Sequence, residues 1–328
     1  MTMGRFNGLL AALLVSVPHM SQAQPAAGEG AFPSRPLRII VPFHPGGTPD
    51  VQIRLMQERL AQRLGQPVVI DNRGGANGII GMEIAARAAP DGYTVTYATV
   101  GAWTVHPFLI KLPYDVLKDF TPVIHTAVTP GVLVVHPSVQ AKTVKELIAL
   151  AKARPGELNY AASPIGSAVH LAAELLNASA GVKVTLIPYK DAAGALNALI
   201  SGEVQLMFPA AGSAMPLLKA NRIRALAVTS ARPSTLLPGV PTMAAAGLPG
   251  FDVEVLYAIL APAGTPPAIV AALNKAVVQA IQPPATRERF AGAGIEAVGG
   301  TPEQLAASIK NEMTTLGAVI RNAGIRLD

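Results

Sequence analysis

The chain has 328 residues, 26 basic against 20 acidic side chains for a formal charge of +6, half of its residues apolar, and no cysteine. Zero cysteines exclude a disulfide framework, thiolate metal sites and a thioether lipid anchor. The basic residues are dispersed, with no run of five or six and no interleaved aromatics, which argues against nucleic-acid binding.

The first 23 residues have the form of a cleavable secretory leader. Arg5 supplies the positive start, Leu9–Val17 the apolar run, and Ser21-Gln22-Ala23 the small-x-small cleavage site. That run is far short of the roughly 20 residues needed to span a bilayer, and nothing comparable recurs, so no permanent membrane anchor is expected. A cysteine-free exported chain fits the bacterial periplasm, and its remaining length suits two domains.

In chain order, Leu37–Val41 reads as a strand, followed by a Pro-Gly-Gly loop and a helix to about Leu64. Thr48 is the expected cap, with Pro49 at the first helical position. Ile53, Met56, Leu60 and Leu64 recur at helical spacing. A strand at Val68–Ile70, a helix at Ile79–Ala88 and a strand at Tyr93–Ala98 continue the alternation. A second series runs from Val132–Val135 through Val144–Lys152, Leu158–Ala161, Ala168–Leu176, Val184–Ile187, Ala192–Ile200, Val204–Phe208 and Ala214–Ala220 to Ala225–Val228. Residues 230–252 read as a proline-rich loop broken by one short helix. A strand at Glu254–Leu260 and helices at Pro267–Ile281, Thr286–Ala291 and Pro302–Ala323 close the chain. The βαβ spacing implies an α/β fold with mainly parallel sheets. Two units joined near 132 and 254 imply a hinge and an interdomain cleft. The expected division is 24–131 plus about 258–328 in one lobe and 132–257, hinge strands included, in the other, with the last helix open between them.

Several segments together resemble one family. They are RPLRIIVPFHPGG-x-x-D (Arg35–Asp50), LGQPVVIDNRGGANGIIG (Leu64–Gly81), APDGYT (Ala89–Thr94) and LPYDVLKDFTPV (Leu112–Val123). The series continues with HLAAELL (His170–Leu176), IPYKDAAGALNALISGEVQLMF (Ile187–Phe208) and APAGTPP (Ala261–Pro267). Their order and spacing are similar to those of the periplasmic solute-binding receptors of tripartite tricarboxylate transporters, the Bug receptors. The resemblance implies a two-lobed periplasmic binding protein-like fold of type II that closes on a small carboxylated solute. It implies delivery to membrane permease subunits, no catalysis and no cofactor. Presentation of the solute to a periplasmic sensor is the alternative, and a periplasmic enzyme a more distant one.

Candidate site residues follow. Gly46 and Gly47 let backbone amides approach an anion, although a tight turn alone would also use them. The resemblance places their loop in the ligand site. Asp50, in the first helical turn, either favours the helix dipole or meets the solute through water or a ligand ammonium. His44 is either a surface-loop residue or a donor to a carboxylate. Gly101, Ala102 and Thr104 follow the third strand and offer amides and a hydroxyl, or form an ordinary turn. Trp103 is favoured as packing over solute stacking. Ser163, Gly166 and Ser167 precede a helix, with Ser167 suited to its cap. Tyr189 and Tyr257 either face the cleft or pack beneath it. Pro209 stands where the family commonly has Asp or Asn, and Leu256 where an aromatic residue is frequent; both departures favour a solute with an apolar body. No histidine spacing supports a metal, and no nucleophile elbow is present.

Overall fold

The computed structural model describes residue 1 and residues 32–162 and 167–322; the leader lies outside the described residues. Two mixed sheets organise residues 32–322. The first contains β1 (Leu37–Val41), β2 (Val68–Asn72), β3 (Thr94–Thr99), β4 (Phe120–Pro130), β10 (Glu254–Pro262) and β11 (Glu296–Ala297) in the order β11-β4-β10-β3-β1-β2. The second contains β5 (Val132–Val135), β6 (Asn159–Ala162), β7 (Thr185–Pro188), β8 (Leu206–Met207) and β9 (Arg224–Val228) in the order β7-β6-β8-β5-β9.

The expectation of mainly parallel sheets is corrected. β1 pairs in parallel with β2 and β3, but β10 runs antiparallel to both β3 and β4, and β5 antiparallel to β8 and β9. The cause is the two crossings between sheets. β4 leaves the first sheet and β10 re-enters it alongside, so the two must run in opposite directions. β4 itself was not read from the sequence, because Pro122, His125 and Thr126 break its apolar run. β10, Glu254–Tyr257 included, pairs with β3 and β4 in the first sheet.

Only Gly131 separates β4 from β5, and the return passes through Val253. Both crossings are tied to fully buried Thr229. Its Oγ accepts from the Gly131 amide at 3.0 Å and donates to the Val253 carbonyl at 2.5 Å. Its own amide donates to the Gly131 carbonyl, and its carbonyl accepts from the Val253 amide. A Cβ at Gly131 would come within 2.8 Å of that hydroxyl, so a glycine is what lets the strands cross here.

The helices are α1 (Thr48–Leu64), α2 (Ile79–Ala86), α3 (His106–Leu109), α4 (Val116–Asp119), α5 (Val144–Ala153), α6 (Ala168–Ala180), α7 (Ala192–Ser201), α8 (Ala211–Lys219), α9 (Pro267–Ile281), α10 (Pro284–Gly292) and α11 (Pro302–Asn322). In α1 the periodic Ile53, Met56, Leu60 and Leu64 are buried against the first sheet, together with α9. Its cap is Gly47, not Thr48, and no side chain caps it. Left-handed Gly65 ends it. Thr143, Ser167 and Asp191 cap α5, α6 and α7 with side-chain oxygens. No helix forms between 230 and 252; four prolines and left-handed Gly239, Gly247 and Gly250 hold this stretch in turns. α11 packs against β4 and also against α6, touching both sheets' surroundings.

Candidate solute-binding cleft

A cleft of about 590 Å³ opens where elements of the two sheets meet, within the range of ligand pockets. The first sheet supplies the loop after β1 (Pro42, Phe43, His44, Thr48, Pro49), Gly75–Gly78, the end of β3 with Gly101, and Val253–Val255 with Tyr257. Ser167, Ala168 and Leu171 come from the start of α6, and Leu316 from α11. The N-termini of α1 and α6 therefore reach one space. Each carries partial positive charge on amides that lack intrahelical acceptors, and the lining is mostly apolar, with no lysine or arginine among its described residues.

The loop before α1 is shaped from within. Gly46 is left-handed (φ 81°) and its amide donates to Asp50 Oδ2 at 2.8 Å. The Gly47 amide donates to the His44 carbonyl. Asp50, 3% exposed, also accepts from Arg54 Nε at 2.9 Å and Asn72 Nδ2 at 3.0 Å. Burial pushes its carboxyl up, but the bonds from Arg54, Gly46 and Asn72 outweigh this and hold it below the ordinary carboxylate range. Gly46, Gly47 and Asp50 thus set the loop's conformation and do not line the cleft.

After β3 the chain makes a π-helical turn, Gly101–Val105, running into α3. It puts Gly101 on the cleft and turns Ala102, Trp103 and Thr104 inward. Trp103 is fully buried and donates from Nε1 to Glu312 Oε2 at 2.8 Å, while Ser308 holds the other oxygen. Its role is packing. Of the remaining candidates, His44, Ser167 and Tyr257 line the cleft, whereas Tyr189 and Pro209 do not. Tyr189 instead donates to Glu203. Ser163 and Gly166 lie outside the described residues.

Sequence reasoning missed several contributors. Gly75–Gly78 is a run of positive-φ residues, including Ala76 (φ 46°) and Asn77 (φ 55°), folded over the β1 loop; GGANG was its visible signal. His106 lines the cleft, and burial lowers its pKa. Glu254 and Val253 come from the return crossing, and no local pattern marks a crossing strand as a cleft wall.

The model of the family described as tripartite tricarboxylate transporter family receptor matches residues 52–325. The chain belongs to that family. It is 37% identical to Protein BugT of Bordetella pertussis over 325 residues, 97% of this chain and 98% of that one. It resembles the structure of an R. palustris protein with adipate at 37% identity and TM-score 0.75, over 90% of this chain and all of the other. It also resembles MatC from Rhodopseudomonas palustris with bound malate, at 33% identity and TM-score 0.71, over 88% of this chain and all of the other. The two sheets joined by two crossings are thus a two-domain periplasmic binding protein-like fold. The protein is a solute-binding receptor of the tripartite tricarboxylate transport class, a periplasmic family.

Proposed function

We propose that this receptor holds a small organic carboxylate in the cleft between its two sheets, releases it unchanged to the permease of its own transporter, and reaches the periplasm by loss of residues 1–23. The observation that carries this reading is the convergence of the α1 and α6 N-termini on one space. Two partly buried helix ends each favour an anion by about 0.3–2 kcal/mol without any cationic side chain. The apolar lining then favours a solute whose body is hydrocarbon. His44, Gly101, Ser167 and Tyr257 are the proposed contacts, with Ser163 and Gly166 adjoining α6 in sequence.

The test is to isolate the protein from periplasm, release its contents by denaturation and identify them by mass spectrometry, then measure rebinding calorimetrically. One carboxylated solute recovered intact and rebound is the expected result. A solute without a carboxylate, or one converted on incubation, would refute the reading.

A further inference from the structure

Among the described residues, one acid borders both the cleft and a neighbouring cavity of about 730 Å³. Glu254 lines both spaces. It is the first residue of β10, registered opposite Pro130 at the end of β4, where the chain re-enters the first sheet. No hydrogen bond from the described residues reaches its carboxyl, on which burial and neighbouring charge act. On the cavity side it faces Asp252, Glu296 and Glu312, with Arg232 the opposing charge among the described residues, and His125 lines the same cavity. On the cleft side the titratable groups are His44, His106 and Tyr257. The acids are not a metal site: among the described residues no group of three or more histidines and acids is placed to hold an ion.

A carboxylate held by the two helix ends meets no lysine or arginine among the described residues of the cleft. An ionised Glu254 beside it would put two like charges in a mostly apolar space, which is costly. A neutral carboxyl carries one O–H donor instead. We propose that Glu254 is a specificity-determining residue of this cleft, donating a hydrogen bond from its protonated carboxyl to an oxygen of the bound solute. The proposal rests on the carboxylate reading above.

Its chemistry fixes a sign. Burial, then Asp252 and Glu296, push the Glu254 carboxyl up to about 8, so the proton is in place at pH 7. Above that value binding must take one proton from solvent, and affinity for an anionic solute falls as pH rises. Burial lowers the pKa of both His106 and His125, so neither histidine titrates in this window.

Adipate, malate, hexanoate and benzoate are titrated calorimetrically into the full-length receptor at pH 7.0 and pH 9.5. For any probe that binds, dissociation constants should rise about tenfold or more between the two, since each pH unit beyond the pKa costs up to about tenfold. At pH 8.5, heats measured in buffers of different ionisation enthalpy should report net proton uptake by the wild-type protein. In Glu254→Gln, which keeps a donor but cannot titrate, the ratio of the two constants should fall within twofold. Glu312→Gln, on the cavity side, should keep a ratio of about tenfold or more, since Glu254 still titrates. Binding without pH dependence or proton uptake, or an undiminished ratio in Glu254→Gln, overturns the role of Glu254 and leaves the carboxylate reading intact. No binding of any of the four probes at pH 7.0 overturns the carboxylate reading and the proposal with it.

Discussion

Replacing Asp50 with asparagine should destabilise the empty receptor before it affects the solute. The carboxylate is 3% exposed, and one oxygen accepts from the Gly46 amide while the other accepts from Arg54 and Asn72. Asparagine retains one acceptor and turns an NH₂ group toward donors on the other side. Losing a charged hydrogen bond costs about 1.5–3 kcal/mol, and an orphaned donor about 1–3 kcal/mol. The exposed half of the Arg54 pair adds little. Allowing for overlap, the loss is about 2–4 kcal/mol. An unfolding entropy near 2.1 cal/mol/K per residue gives roughly 0.6 kcal/mol/K for about 300 residues, hence a Tm lowered by about 3–7 °C. Circular dichroism of the solute-free protein at pH 7 measures it. The deficit should shrink below the ordinary aspartate range: the folded carboxyl is depressed, so its stabilisation is present above that range and is lost as pH falls through the folded value. A Tm within 1 °C of wild type together with a tenfold or greater loss of solute affinity would refute this reasoning, since the carboxylate would then act on the solute and not on the loop.

Thr229→Val preserves shape but removes the hydroxyl that joins both crossings. It should cost about 1–3 kcal/mol by leaving the Gly131 amide without its acceptor; equal stability by urea denaturation would show that the backbone bonds alone hold the crossing. Burial above all raises both Glu254, to about 8, and Glu312, to about 7. A raised acid favours folding less as pH climbs from its unfolded to its folded value, so the Tm of the empty receptor should fall between pH 6.5 and 8. The double variant Glu254→Gln, Glu312→Gln should flatten that slope, and a wild-type Tm that is constant or rising across the window would contradict it.

The sequence by itself determined what depends on short-range periodicity and on residues with one conformational job. The α1 core positions, Gly65 as its stop, and the Thr143 and Ser167 caps follow from spacing and side-chain chemistry within a few residues. The PFHPGG loop and the family's ordered motifs likewise marked the region around the cleft. Tertiary structure decided what depends on which distant strands meet. The antiparallel β4–β10 pair, the Thr229 tie at both crossings and the exclusion of Tyr189 and Pro209 from the cleft wall are long-range outcomes. So is part of the role of Asp50: residues four positions away, Gly46 and Arg54, donate to its carboxylate, but Asn72, 22 residues away, completes the set. Glu254 is the clearest case. In sequence it is one acid in an ordinary strand. Its position between two spaces, facing three other acids, exists only because β10 returns beside β4 and α11 closes over them.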